Sequence, residues 1–304
     1  MQSSDNTGES MNIFIFPNLS KKNCKLYVKQ ACEILLSSGC TVYLSGEYKT
    51  VFSDIIGVQF KSENSCFKKC DIVVAVGGDG TILKCAVRCA EHHKPVLGIN
   101  CGRLGFMASL EHTQISDLDR LVKGDYKLSR RMLITASVSG KADTQREFTA
   151  LNDVVVSKSD SCKIVDFEVS RNSIPISSLR ADGVIFSTAT GASAYSMSAG
   201  GPIIEPEMEC IEFTQICPHS LFARTTIFGP DSILKVKCHS ANKCMSNVVV
   251  DGNKVCKLSG SDVLTLKRSQ HYVDIIDING DNFFKSVNKK LMLPLKELSG
   301  GENI

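Results

Sequence analysis

The chain has 304 residues, 43% hydrophobic and 22% charged, with 35 basic against 32 acidic side chains. That length accommodates two ordinary hydrophobic cores, and a net charge of +3 argues for neither nucleic acid nor a membrane surface as partner. No apolar run reaches the ~18 residues that span a bilayer. Residues 1–10, MQSSDNTGES, lack the features of a secretory signal or a transit peptide and read as a disordered leader, with Met11 as an alternative start. The fourteen cysteines include no C-x-x-C pair; Cys66/Cys70 and Cys85/Cys89 are spaced to share a helix face. Without an export signal they read as reduced, core-filling thiols of a cytoplasmic protein, and the Asn18-Leu19-Ser20 sequon carries no meaning.

Asn12–Phe16 is a short apolar strand stopped by Pro17. Lys22–Ser38 carries Leu26, Ala31, Ile34 and Leu35 at helical spacing and ends at Gly39, a C-terminal glycine. Thr41–Leu44 is the next strand, and Asp71–Val76 is a nearly continuous apolar run of the kind found in buried parallel strands. After a glycine cluster, Ile82, Leu83, Ala86, Val87 and Ala90 line a helix reaching His93, and Pro95–Asn100 is a further strand. This β-α-β alternation predicts a parallel sheet with right-handed crossovers. From about Tyr126 the texture changes to short β-branched runs: Leu133–Val138, Thr149–Ser157, Ile164–Ser170, Val184–Thr188, Thr225–Phe228, Ser232–Cys238, Val248–Val250 and Val263–Arg268. Turn residues separate them, which predicts mainly antiparallel β structure. Asn288–Leu298, rich in Lys and Leu, reads as a helix returning to the first domain, before a Gly300-Gly301 tail. The expected domains are 11–126, completed by about 280–298, and 127–279, with 299–304 as tail.

Two strand-to-glycine transitions carry the chemistry. Gly77-Gly78-Asp79-Gly80-Thr81 lies between a strand and a helix, where α/β sheets bind ligands. Glycines let the backbone curl around an anion, and a helix N-terminus offers unpaired N–H groups. A carboxylate there repels phosphate, so Asp79 either holds a divalent cation or takes a proton from a nucleophile. The plain alternative is an Asp-Gly turn. Neither G-x-x-x-x-G-K-[ST] nor G-x-G-x-x-G fits. Asn152-Asp153 offers the mixed donor and acceptor that a ribose diol or an amide requires, or else a turn before a strand. Arg180 and Asp182, two apart, would share one strand face as a solvated ion pair. The second transition runs from Ser187 to Ser198, too rich in small hydroxyl residues for an ordinary core. Thr190, Ser193, Tyr195, Ser196 and Ser198 supply hydroxyls, Gly191 and Ala194 leave room, and Tyr195 adds a stacking face. His219 is either a structural hydrogen-bonding residue or a catalytic one.

Five blocks, GGDGTIL (Gly77–Leu83), GINCGRLGF (Gly98–Phe106), LND (Leu151–Asp153), RADGVIFSTATGASAYSMSAGGPI (Arg180–Ile203) and ICPHSL (Ile216–Leu221), resemble the NAD kinase family and occur in its order. The resemblance covers roughly Asp71 to Asn253. It implies an α/β + β fold: a Rossmann-like N-terminal domain with a parallel sheet, and a C-terminal, mainly antiparallel β domain. By resemblance, Asp79 is the general base that deprotonates the 2′-hydroxyl of the adenosine ribose of NAD. That oxygen attacks the γ-phosphoryl of ATP, giving NADP and ADP. Gly80 would lie against the ligand and Lys84 near phosphate. Asn152 and Asp153 would hold the substrate, while Lys163, Arg180 and Asp182 would make further nucleotide contacts. Thr190, Ser193, Ala194, Tyr195, Ser196, Met197 and Ser198 would line the site, with Asn253 a late contact. No protein metal ligand is expected; a divalent metal cation, Mg²⁺, would arrive with ATP. The family pattern also implies a homodimer or homotetramer joined through the β domain. The chain departs from it at Ala189 (usually Pro), Ala192 (usually Ser or Thr) and Asp153 (commonly Glu), and Lys163 occupies an Arg/Lys position. Diacylglycerol and sphingoid-base kinases share the GGDG loop, but no apolar cleft or basic membrane face is evident here. A non-catalytic pyridine-nucleotide sensor could dispense with the base, which this chain keeps.

Overall fold

The computed structural model describes residues 10–102, 105–140, 146–159, 164–239, 245–280 and 282–292. They divide into two units, one ending at Ser129 and resuming at Asp274, the other Arg130–Val273.

The first unit runs β1 (Asn12–Pro17), α1 (Cys24–Ser37), β2 (Thr41–Ser45), β3 (Gln59–Lys61), α2 (Glu63–Lys69), β4 (Ile72–Gly77), α3 (Asp79–His92), β5 (Val96–Asn100), β6 (Leu110–Glu111) and α4 (Leu118–Val122). The strands lie in the order β5-β4-β1-β2-β3, and every pair is parallel. Both sheet faces are covered, so β4 reads Ile-Val-Val-Ala-Val-Gly and every residue in it is buried. Within β1 the side chains alternate: Ile13 and Ile15 join the core that includes Val28, Ala31 and Leu35 of α1, whereas Phe14 meets Phe67 of α2 edge-on with ring centroids 5.0 Å apart. Helix α1 ends where expected, with Gly39 at φ +81°, a conformation that favours glycine. The strand order reverses between β1 and β4, so the carboxyl ends of these two strands form the switch point at which such sheets take ligands.

The second unit begins within β7 (Lys127–Ser139) and continues through β8 (Arg146–Ala150), β9 (Asp153–Ser157), β10 (Val165–Arg171), β11 (Ile174–Ala181), β12 (Gly183–Ser187), α5 (Tyr195–Ser198), β13 (Ile211–Ile216), β14 (Thr226–Phe228), β15 (Leu234–His239), β16 (Ser246–Val250), β17 (Asn253–Leu258) and most of β18 (Val263–Asp277). One sheet has the order β14-β13-β12-β9-β16-β17 and is antiparallel throughout. The other includes β11-β10-β15-β18, also antiparallel. A single core takes Val154, Val156, Val184, Phe186 and Phe213 from the first sheet and Phe167, Val169, Val236 and Leu264 from the second. The chain then re-enters the first unit, where Ile275 pairs with Val96 of β5, and ends its described course in α6 (Asn282–Met292).

Several elements differ from expectation. The run Thr149–Ser157 is two strands, because the Asp251 carboxylate captures the N–H groups of Leu151, Asn152 and Asp153 and takes that turn out of the ladder. Strands β3, β6, β11, β13 and β17 and helices α2 and α4 were not anticipated, and β18 extends nine residues past Arg268 to Asp277. Helix α6 begins at Asn282, six residues before the expected start, and residues 293–298 lie outside the described residues. The twelve described cysteines are all free thiols, most of them buried.

Candidate functional site

In the first unit the glycine cluster caps the carboxyl end of β4 and opens directly into α3, whose first residue is Asp79. Two backbone donors orient the Asp79 carboxylate: Phe106 N–H to Oδ2 at 2.9 Å and Met107 N–H to Oδ1 at 3.4 Å. A carboxylate has about four lone-pair positions, so these two bonds aim it and leave acceptor capacity free for a proton. Neighbouring glycines make the close packing feasible. A Cβ on Gly77 would come within 2.4 Å of Thr81 Oγ1, and one on Gly105 within 1.8 Å of Asp79 Oδ1. Asn18, at the carboxyl end of β1, steadies the loop by donating to Thr81 Oγ1 at 2.8 Å. Gly80 is exposed with open space beside it, and Lys84 projects into solvent one turn along α3. Gly105→Ala is therefore expected to displace the carboxylate and lower kcat by roughly 10²-fold with little loss of thermal stability. Steady-state kinetics beside a melting curve checks this.

In the second unit a compact polar group forms where β9 and β12 meet. Thr188 N–H bonds Asn152 O at 2.9 Å, and a Cβ on Gly191 would lie 2.2 Å from the same oxygen. The segment carrying Thr190 is thereby packed against the Asn152 main chain. Asn152 Oδ1 and Thr190 Oγ1 are buried without a hydrogen-bond partner among the described residues. Such groups are costly unless something satisfies them. Burial and, secondarily, Asp251 push the Asp153 carboxyl up to about 7. Asp251 itself is raised by burial, offset by the N–H groups it holds. Asn253 stays close through its donation to Asp251 O at 3.2 Å.

The hydroxyl-rich stretch is less uniformly available than its composition implies. Ser187 and Thr188 donate to main-chain carbonyls of Asn152 and Leu151. Ser196 is fully buried and donates to Glu212 Oε1 at 2.7 Å, so its hydroxyl is spent inside the unit and does not line a surface. Ser193 donates to Thr190 O at 3.3 Å, within its own turn. Tyr195 and Ser198 are exposed, while Ala194 and Met197 are half-buried.

Arg180 and Asp182 do not pair with each other, because β11 ends at Ala181 and turns the chain between them. Arg180 binds Asp166 at 2.7 Å, and Asp182 binds Lys158 at 2.6 Å. The register Asp153↔Ser187 and Gly183↔Ser157 puts these pairs at the opposite end of β9, about 16 Å from Asp153 at ~3.3 Å per residue. His219 joins that far end through its N–H to Arg180 O. Lys163 lies outside the described residues. Asn18, Gly105, Glu212 and Asp251 were missed. Gly105 lies within the Gly98–Phe106 block and Asp251 precedes Gly252 in an Asp-Gly pair, signals that could have drawn attention to both, but Asn18 and Glu212 have no local signature.

The ATP-NAD kinase N-terminal domain matches residues 13–126, and the ATP-NAD kinase C-terminal domain matches residues 151–278. The chain belongs to the ATP-NAD kinase family. The NAD kinase of Caldanaerobacter subterraneus subsp. tengcongensis is 33% identical over 280 residues, 91% of this chain and 97% of that protein. That of Symbiobacterium thermophilum is 36% identical over 230 residues, 75% and 81% of the two chains. Among solved structures, yeast NADH kinase complexed with NADH superposes with a TM-score of 0.84 at 20% identity, covering 100% of this chain and 94% of that one. An NAD kinase from Archaeoglobus fulgidus in complex with ATP gives 0.66 at 22% identity, covering 93% and 99%. These two likenesses establish a shared fold, and the family assignment rests on the domain matches and the bacterial relatives.

Proposed function

We propose that the protein is an ATP-dependent NAD kinase in which Asp79 is the general base. The observation that carries this is the Asp79 carboxylate itself, aimed by two backbone N–H groups amid glycines at a helix N-terminus. In this reading the 2′-hydroxyl of the adenosine ribose gives its proton to Asp79 as its oxygen bonds to the γ-phosphorus of ATP. The bond from that phosphorus to the β-bridging oxygen breaks, and ADP leaves. A positioned base contributes ~10²–10⁴-fold to such a step. Asn152, Asp153 and Thr190 hold the dinucleotide, which supplies the partners that Asn152 Oδ1 and Thr190 Oγ1 lack among the described residues. Tyr195, Ala194, Met197 and Ser198 border it, and Arg180, Asp182 and Lys163 are more distant nucleotide contacts.

A divalent cation, Mg²⁺, accompanies ATP and neutralises phosphate charge. Among the described residues no three His, Cys, Asp or Glu converge on one point, and Asp182 is committed to Lys158. This donor set suits a cation held by phosphate oxygens and water. The protein acts in the cytoplasm as a homodimer or homotetramer through the β-rich unit, where Leu221, Phe222 and Ile227 are exposed. No helix among the described residues is long and apolar enough to cross a membrane.

The test is a purified-protein assay with ATP and Mg²⁺ against NAD, NADH and diacylglycerol in parallel. NADP and ADP are expected in equal amounts from NAD. Phosphorylation of the lipid alone would support a lipid kinase, and binding of NAD without ADP release would support a sensor.

A further inference from the structure

We propose that Glu212 is a positioning residue, whose buried carboxylate fastens the Tyr195–Ser198 turn, and with it Tyr195 and Met197, to the β-sheet beneath. The inference rests on the reading above, in which that turn borders the dinucleotide.

Helix α5 is only four residues long, and Ala194, the residue before it, makes no side-chain cap. A single turn of this length does not hold its shape in isolation. What holds it lies underneath. Ser196, fully buried at the centre of the turn, donates to Glu212 Oε1 at 2.7 Å and lies 2.9 Å from Thr214 Oγ1. Thr214 donates to the same carboxylate oxygen at 3.0 Å and meets Thr225 Oγ1 at 3.0 Å. One oxygen of Glu212 therefore gathers α5, β13 and the chain entering β14. The chain after α5 is shaped to this contact: a Cβ on Gly201 would come within 2.3 Å of Glu212 Oε1 and 2.4 Å of Ser196 Oγ.

Glu212 is itself completely buried, and its second oxygen, Oε2, has no partner among the described residues. Burial pushes its carboxyl up, with the Ser196 and Thr214 hydroxyls opposing. A leucine or valine would fill such a strand position at lower cost, so the carboxylate is poorly accounted for by packing alone. Its location explains it better. Glu212 pairs in register with Ser187, which pairs with Asp153. The turn is thus anchored two strands, about 10 Å, from the buried acid proposed to hold the dinucleotide.

Glu212→Leu removes the acceptor, Ser196→Ala removes the donor with a smaller packing change, and Glu212→Gln keeps an acceptor oxygen without the charge. Glu212→Leu and Ser196→Ala are each expected to raise KM for NAD about tenfold while kcat and KM for ATP stay within about twofold, the pattern of lost uniform binding. Glu212→Gln is expected to retain a KM for NAD close to that of the parent. An unchanged KM for NAD in Ser196→Ala would overturn the proposal. So would losses in kcat and both KM values that track a fall in melting temperature, and so would Glu212→Gln behaving like Glu212→Leu. Should Glu212→Leu fail to fold, Ser196→Ala decides alone. An unsubstituted protein that makes no NADP would instead overturn the functional reading.

Discussion

Asp79→Asn is expected to lower kcat for NADP formation by roughly 10²–10⁴-fold while leaving the affinities for NAD and ATP within about threefold. The substitution suits the question because it preserves shape. The amide oxygen can still accept from Phe106 N–H, now at 2.9 Å, whereas the amide nitrogen would face Met107 N–H across the longer 3.4 Å contact. A contact that long contributes little, so the side chain has one strongly preferred orientation and the loop has little reason to move. What disappears is the ability to take a proton, because an amide is not a base near neutral pH. Single-turnover phosphorylation together with equilibrium titration of NAD separates the two effects. Turnover close to that of the parent would remove Asp79 from the chemistry. Loss of binding at unchanged kcat would make it a ligand contact instead.

The parts of this arrangement that could be read in advance are those built from neighbours in sequence. β4, its glycines and Asp79 are contiguous, and each obeys a local rule: an apolar run for a two-sided strand, glycine for close approach, an acid where a helix begins. The parallel pairing of the first sheet followed from strand and helix alternation, but β3 and α2, at its edge, had no counterpart in that reading. The Asn152-Asp153 pair allowed a turn, but the break it makes in the Thr149–Ser157 run was hidden because what holds it is a carboxylate about a hundred residues away, Asp251. The hydroxyls between Ser187 and Ser198 show the other limit. Composition reveals that a segment is polar, but not which side chains the fold consumes. Ser196 is turned inward by Glu212, sixteen residues distant, on a strand that was itself unforeseen. Arg180 and Asp182 illustrate the same point. Two-residue spacing implies a shared face only while the strand continues, and β11 stops between them.

Asp153→Asn is expected to yield a protein that is more stable at alkaline pH and binds NAD less well. Asp153 is only 6% exposed, and burial followed by the charge of Asp251 holds its carboxyl near 7. An ordinary aspartate in the unfolded chain titrates near 3.9. Between these values the unfolded state has lost the proton and the folded state retains it, so stability falls as pH rises, and above about 7 the full penalty is present. At 1.36 kcal/mol per unit, the penalty is on the order of a few kcal/mol. Asparagine carries no such charge. The difference in melting temperature between variant and parent should therefore be small near pH 4, grow through pH 6, and level off at roughly 5–10 °C by pH 8. A constant difference across that range, or one that shrinks with pH, would count against the burial argument. An acid retained at this cost implies a compensating use, since stability is commonly traded for binding at functional positions. Asn152 Oδ1, on the preceding residue, and Thr190 Oγ1 are also buried and unpartnered among the described residues. A ligand presenting a hydroxyl or amide donor to Asp153 would relieve the buried carboxylate. The stabilisation of the parent by saturating NAD should accordingly exceed that of Asp153→Asn, and KM for NAD in the variant should rise by about tenfold or more, as for loss of a hydrogen bond to a charged group.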